Sequence, residues 1–273
     1  MSERDSYNPG EFCWVDLATP DVGAAAHFYG DLIGWTHEPA SGGTEDTAGY
    51  GFFLFNGKVV AGVGPLQSEQ QPTAWMSYID VADAEESAGK VRDAGGTVLM
   101  GPFELPSGAG RMAVCHDPEG AFFAIYEPGH RHGSELVNEI GTWTWNQLAT
   151  RDLDAAKKFY GTVFGWVAEI SPEAPEDSPY LMWQVEGQKW EEGLAGVMTI
   201  GDELSADMPA ETPAHWMVYF AVADADEAIA KVKSGGGNVL FGPQAIPVGK
   251  LAVFTDPAGA AFAIIEPDYP EAR

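Results

Sequence analysis

The sequence predicts an α+β chain of two tandem modules, each stating a β-α-β-β-β unit twice. Three observations carry this. First, the stretch from Phe12 to Trp35 is written again from Trp143 to Trp166: Trp14, Leu17-Ala18-Thr19, Asp21, Phe28-Tyr29-Gly30 and Gly34-Trp35 recur as Trp145, Leu148-Ala149-Thr150, Asp152, Phe159-Tyr160-Gly161 and Gly165-Trp166, every pair 131 positions apart. Second, that stretch reads as an apolar strand, a Thr/Asp cap and a helix closing on aromatic residues, which is a β-α unit. Third, Asn56-Gly57 between two apolar runs is a hairpin signal, and Asp117-Pro118-Glu119-Gly120 marks a later turn.

Taken in order, residues 1–10 are polar, contain Pro9-Gly10 and read as a loose arm. The first module spans 11–127. It opens with a strand at Phe12–Ala18 and a helix at Asp21–Ile33, followed by a Gly/Thr/Ser loop at Pro39–Gly49 and the hairpin Tyr50–Phe55 and Val59–Val63. After the polar stretch Gln67–Thr73, a strand at Trp75–Val81 leads to a helix capped by Asp83 and stopped by Gly95-Gly96. Short strands follow at Thr97–Met100, Arg111–Cys115 and Ala121–Tyr126. A Pro/Gly-bearing linker, 128–141, precedes the second module, 142–267, and a tail, 268–273. In the second module Val222-Ala223-Asp224, Gly236-Gly237, Gly242-Pro243, Asp256-Pro257 and Glu266-Pro267 answer Val81-Ala82-Asp83, Gly95-Gly96, Gly101-Pro102, Asp117-Pro118 and Glu127-Pro128. Its hairpin, Tyr180–Val185 and Leu194–Thr199, carries a longer turn at Glu186–Gly193.

Forty-one acidic against 14 basic residues give a formal charge of −27 over 273 residues. Such a surface repels phosphate backbones and anionic bilayers, which disfavours nucleic-acid and membrane partners, and it attracts cationic small molecules. No apolar run reaches about 18 residues and no basic, apolar leader opens the chain, so a cytoplasmic location is expected. The two cysteines, Cys13 and Cys115, are not repeat-equivalent. They speak against a disulfide scaffold or thiolate metal site and read as small buried apolar residues.

The strand, the Asp-capped helix with Phe-Tyr and Gly-Trp, the second helix ending Gly-Gly and the Asp-Pro-x-Gly turn resemble the vicinal oxygen chelate superfamily, which includes glyoxalase I, bleomycin-resistance proteins and extradiol dioxygenases. Both modules carry the resemblance, over roughly 11–127 and 142–267. It is closest to the tandem actinobacterial members labelled hydroxylases or glyoxalase/bleomycin-resistance proteins. The resemblance implies that each module pairs its two units into a sheet curled around a cup. In enzymes of the family a divalent metal sits there, held by His, Gln or Glu from four strands.

The matching positions are vacant in both halves. The opening-strand ligand falls on Trp14 and Trp145, and the last-strand ligand on Ala124 and Ala263. The strand before the second helix offers Met76 and Met217, and the hairpin offers no acid or His beyond Gln184. An indole nitrogen is a donor without a free lone pair, and a thioether is a poor partner for a hard ion. No metal and no other cofactor is expected.

Strand alternation predicts what lines the cups instead. The first should hold Phe12, Trp14 and Asp16; Met76, Tyr78 and Asp80; and Phe122, Ala124 and Tyr126. The second should hold Trp143, Trp145 and Gln147; His215, Met217 and Tyr219; and Ala261, Ala263 and Ile265. Aromatic walls with a few polar tips suit a flat aromatic or cationic ligand. They equally suit a plugged cup, since aromatics on a sheet face are commonly core. Asp16 and His215 are the candidate catalytic groups, because a carboxylate among aromatics is expensive unless it is paired or protonated. Arg111 and Lys250 occupy matching places and offer an anion clamp. Phe28, Tyr29, Trp35 and their repeats read as core, and Trp75 and Trp216, of opposite parity, should pack under the helices.

Three functions follow from this. The first is metal-independent binding of a hydrophobic or aromatic small molecule, as in antibiotic or metabolite sequestration. The second is a glyoxalase-like lyase or accessory hydroxylase that uses a cup carboxylate or His. The third is an interaction protein with inert, filled cups. A monomer or a homodimer is compatible with each.

Overall fold

The two modules meet through the residues that the sequence duplicates most faithfully. In the computed structural model, which describes residues 3–40, 49–171, 180–185, 194–201, 208 and 211–268, each module is one eight-stranded sheet with two helices on one face. The first module contains β1 (Phe12–Thr19), α1 (Val22–Ile33), β2 (Thr36–Pro39), β3 (Gly51–Phe55), β4 (Lys58–Pro65), β5 (Ala74–Asp80), α2 (Ala84–Asp93), β6 (Thr97–Glu104), β7 (Gly110–His116) and β8 (Phe122–Pro128). The second contains β9 (Trp143–Thr150), α3 (Leu153–Phe164), β10 (Trp166–Ile170), β11 (Leu181–Val185), β12 (Ala195–Thr199), β13 (His215–Ala221), α4 (Ala225–Ser234), β14 (Asn238–Ile246), β15 (Gly249–Thr255) and β16 (Ala261–Pro267). The sheet orders are β2-β3-β4-β1-β5-β8-β7-β6 and β10-β11-β12-β9-β13-β16-β15-β14, so one topology is built twice.

The local causes are those the sequence displays. Asp21, Asp83, Asp152 and Asp224 each accept a bond at 2.9 Å from the backbone N–H three residues on, satisfying a helix donor that would otherwise be orphaned. Gly34 and Gly165 close α1 and α3 in the left-handed conformation. Asn56 and Gly57, with φ of 53° and 77°, form the tight turn between β3 and β4. The strands β2 and β10 have no clear signal in the sequence because both are short, and β2 is mostly exposed and carries His37, Glu38 and Pro39. The turn Glu186–Gly193 lies outside the described residues, as does all of the tail beyond Asp268.

One core serves both modules. The faces of the two sheets that carry the helices turn toward each other, and a single buried cluster runs through both. Phe220 of the second module packs on Trp35 and Trp75 of the first, with centroids 5.2 and 5.0 Å apart. Phe123 of the first meets Tyr160 of the second at 6.0 Å. Trp75 and Trp216 lie under the helices, and Cys13 and Cys115 are buried free thiols.

Within that core runs a reciprocal hydrogen-bond relay. Trp75 Nε1 donates to the Tyr29 hydroxyl at 2.8 Å, which donates to Asp256 of the other module at 3.2 Å. Trp216 Nε1 donates to the Tyr160 hydroxyl at 2.8 Å, which donates to Asp117 at 3.0 Å. The other oxygen of each aspartate closes its own Asp-Pro turn by accepting two backbone N–H bonds. Trp35 Nε1 reaches the carbonyl of Gly141, and Trp166 Nε1 that of Gly10, at 2.7 and 2.9 Å. The arm expected to be loose is pinned as well: Arg4 N–H donates to the Glu135 carbonyl, and the Tyr7 hydroxyl to that of Ser134.

Tyr29→Phe or Tyr160→Phe strands a buried indole N–H and a buried carboxylate. Each variant should lose about 1–3 kcal/mol. Urea denaturation should show one transition for the whole chain, moved to lower denaturant.

Candidate functional site

The cup of each module is the sheet face turned away from the shared core. In the first, β1, β5 and β8 lie side by side, with Asp16 opposite Met76, Trp14 opposite Tyr78, and Tyr78 beside Ala124. In the second, Gln147 is opposite Met217 and Trp145 opposite Tyr219, which neighbours Ala263. The structure thus brings together Trp14, Asp16, Met76 and Tyr78, and likewise Trp145, Gln147, Met217 and Tyr219.

Two expected residues leave the cups. Phe12 pairs with Ile79 while Trp14 pairs with Tyr78, so Cys13 is an extra residue in β1 and the alternation reverses there. Phe12 turns into the shared core between Trp166 and Trp216, at 5.4 and 5.1 Å, and Cys13 takes the cup side beside Tyr78 and Tyr126. The same shift in β9 buries Trp143 in the core. A bulge has no signature in hydrophobic alternation, since both faces here are apolar. Phe122 keeps the predicted parity but stands half exposed against His116 at the end of β8.

Sequence reasoning also missed two members of the site, Tyr50 and Tyr180, each at the mouth of its hairpin. The Trp14 Nε1 donates to Tyr50 Oη at 3.2 Å, Tyr50 donates to Asp16 Oδ2 at 3.2 Å, and Tyr78 donates to the same oxygen at 2.8 Å. In the second cup Trp145 donates to Tyr180 at 3.2 Å, and Tyr180 and Tyr219 both donate to Gln147 Oε1, at 3.0 and 3.1 Å. The two networks coincide atom for atom apart from the carboxylate and the carboxamide. The available signal was glycine: Gly62 on β4 and Gly196 on β12 lie directly beneath the two tyrosines, and a Cβ at either would collide with the phenol.

The charges in the first cup are strongly perturbed. Desolvation, opposed by the bonds from Tyr78 and Tyr50, raises the Asp16 carboxyl to about 6. Asp80, on the same face near Cys13 and Tyr126, is only 2% exposed, and its Oδ2 has no partner among the described residues. Burial, then the nearby Glu11, raises it to about 7. Burial also pushes Tyr50 and Tyr78 far above the ordinary phenol range and Tyr180 to about 12, so all three remain neutral donors at neutral pH. His215 shares the face of Met217. Its Nδ1 lies 2.9 Å from the Pro213 carbonyl, and burial, opposed by that contact, lowers its pKa. It makes no described contact with Gln147. Arg111 is taken up by Glu85, Glu104 and Glu127, and Lys250 by Asp226 and Glu266, so neither is a free anion clamp.

The cups differ in cover. Over the first, the Tyr126 hydroxyl lies between the carbonyls of Ala109 and Arg131, at 2.7 and 2.9 Å, with one O–H shared between the two acceptors, and the Arg131 guanidinium lies 4.1 Å above the Phe52 ring. Tyr7, Trp14, Met76 and Leu105 pack on a buried cluster that contains Met112, Val114 and Tyr126. Their counterparts in the second cup, Leu251, Val253 and Ile265, stay partly exposed.

The donor sets do not fit the divalent ion of related enzymes. Both tryptophan nitrogens are spent on tyrosine hydroxyls, and Ala124 and Ala263 present methyl groups. No cluster of three His, Cys, Asp or Glu side chains occurs among the described residues.

Asp16 and Asp80 bind protons more tightly in the folded chain than in the unfolded one. The stability this contributes is complete below about pH 4 and is lost as pH rises through about 6 to 7. Asp80→Asn should therefore raise stability by on the order of 2 kcal/mol at pH 8, with the gain narrowing as pH falls toward 4. Urea denaturation at pH 8 and pH 5 measures both.

Comparison with known proteins agrees with this architecture. Residues 140–264 match the model of the Glyoxalase/Bleomycin resistance protein/Dioxygenase superfamily, and residues 14–126 match that of the Glyoxalase-like domain. The chain is 38% identical over 275 residues to "Putative glyoxylase CFP32" of Mycobacterium tuberculosis, covering 98% of both chains. It is 34% identical over 277 residues to the anthracycline biosynthesis protein DnrV of Streptomyces peucetius, covering 95% of this chain and 94% of that one. Among solved structures it is similar to the Mn(II)-bound glyoxalase of Novosphingobium aromaticivorans, with a TM-score of 0.59 at 13% identity over 96% of this chain and 85% of that one, a likeness of fold alone. The two repeated sheets and the matches to both halves show that the chain belongs to the Glyoxalase/Bleomycin resistance protein/Dioxygenase superfamily, as a tandem two-module member.

Proposed function

We propose that the chain binds a flat, hydrophobic aromatic small molecule in its cups, without a metal ion, and sequesters it. The observation that carries this reading is the duplicated network of tryptophan, tyrosine, acid or amide, and tyrosine on each cup face. Aromatic walls supply apolar contact area, and one fixed polar group among them orients a ligand. A plugged cup would need no such group. The name of the Streptomyces relative supports the size and shape of the ligand, since anthracyclines are fused-ring aromatic molecules. The acidic surface favours cationic over anionic ligands, and no helix among the described residues is long and apolar enough to cross a membrane. A cytoplasmic monomer or homodimer acting on small molecules fits these features.

One observation favours a second reading, a glyoxalase-like lyase or an accessory to hydroxylation. The Asp16 carboxyl, raised to about 6, is suited to exchanging protons near neutrality, as a general base must. On this reading Asp16 removes a proton from a bound ligand, and the two tyrosines hold the carboxyl in place.

An anthracycline titrated into the protein should quench tryptophan fluorescence with a dissociation constant of about 10 μM or tighter. Trp145→Ala and Trp14→Ala should each weaken binding about tenfold or more. Unchanged fluorescence up to about 1 mM ligand would overturn the binding reading. Recovery of the ligand chemically altered, with the alteration lost in Asp16→Asn, would establish the second in its place.

A further inference from the structure

The two cups share every member of their networks except one, and that member sits where all the other hydrogen bonds converge. In the first cup Tyr50 and Tyr78 both donate to Asp16 Oδ2. Trp14 donates to Tyr50 in turn, so the chain of donors runs from indole through phenol to carboxylate. The second carboxylate oxygen, Oδ1, accepts no bond from any described residue, and Asp16 keeps some solvent contact on the cup side. What the first cup shows an incoming molecule is therefore an acceptor carrying negative charge.

In the second cup the same flow of donors fixes the amide the other way round. Trp145 donates to Tyr180, and Tyr180 and Tyr219 both donate to Gln147. Only an oxygen can receive two O–H bonds, so Oε1 faces the tyrosines and Nε2 faces away. There it meets the Met198 thioether, a weak acceptor that a carbonyl would displace. The second cup shows an incoming molecule a neutral N–H donor.

A further difference has the same sign. The first cup contains Asp80, 2% exposed with Oδ2 unpartnered among the described residues, where the second has Ala221. Among the described residues of the two cup faces, the first therefore carries two carboxyl groups, Asp16 and Asp80, at positions where the second carries Gln147 and Ala221.

We propose that the two cups select opposite ligand chemistries: the first takes the protonated amine or other cationic donor of an aromatic ligand through Asp16, and the second takes an aromatic carbonyl through Gln147. This rests on the cups being ligand sites. One amphoteric ligand class, a fused-ring ketone bearing an amine, satisfies both cups by presenting different ends to each.

Two planar tricyclic probes of equal size separate the cups: 9-aminoacridine, cationic at neutral pH, and acridone, a neutral ring ketone. Each is titrated at pH 7.5 into the full chain and into Asp16→Asn and Gln147→Glu. Both variants preserve the local fold, because each cup already accommodates the kind of group the other receives. Asp16→Asn should weaken 9-aminoacridine about tenfold or more and leave acridone unchanged. Gln147→Glu should weaken acridone about tenfold and add a second site for 9-aminoacridine. Wild-type binding of both probes with no response to either substitution overturns the selectivity and leaves aromatic binding standing. Failure of both probes to bind the wild-type chain overturns the two readings together.

Discussion

Everything in this molecule is referred to the pair of relays that tie each module's first helix to the other module's Asp-Pro turn. A phenol between a buried indole N–H and a buried carboxylate can be satisfied in only one geometry, because moving it strands polar groups on both sides. Tyr29 and Tyr160 therefore fix how the two sheets face each other. The aromatic core fills in around them, and each cup is left as the face that this contact does not use. Asp117 and Asp256 close a local turn with one oxygen and receive the foreign tyrosine with the other, which couples local chain reversal to long-range assembly.

Much of this was legible in the residues. The 131-residue repeat, the four Asp caps and the Asn-Gly turn announce the duplicated fold, because each has a local physical cause. The cup residues were legible as far as alternation holds, from Trp14 to Asp16 and from Met76 to Asp80. Alternation fails at Phe12 and Trp143, where a bulge inverts the faces and nothing in the local pattern marks it. Tyr50 and Tyr180 were invisible for another reason. Their position is set by where the hairpin folds back over Gly62 and Gly196, which depends on register and not on composition.

The cups follow the same rule as the core: a buried polar group is tolerated where its partners are in place. Asp16 has two tyrosine donors, Tyr50 and Tyr78, and Gln147 has their counterparts, Tyr180 and Tyr219, so either can sit on an aromatic wall. Asp80 Oδ2 has no such partner among the described residues, and burial, with Glu11 nearby, raises its carboxyl to about 7. Trp14 and Trp145 are tied into these networks through their indole nitrogens, so replacing either would also leave a tyrosine hydroxyl without its donor.

Fusing the two modules into one polypeptide also lifts a constraint that self-association would impose. In an isologous assembly each substitution appears on both sides of the axis, so paired sites must stay identical. Here Asp16 and Gln147 are encoded separately, as are Asp80 and Ala221. The pseudo-symmetric core can hold the halves in register while each hollow drifts toward its own specificity.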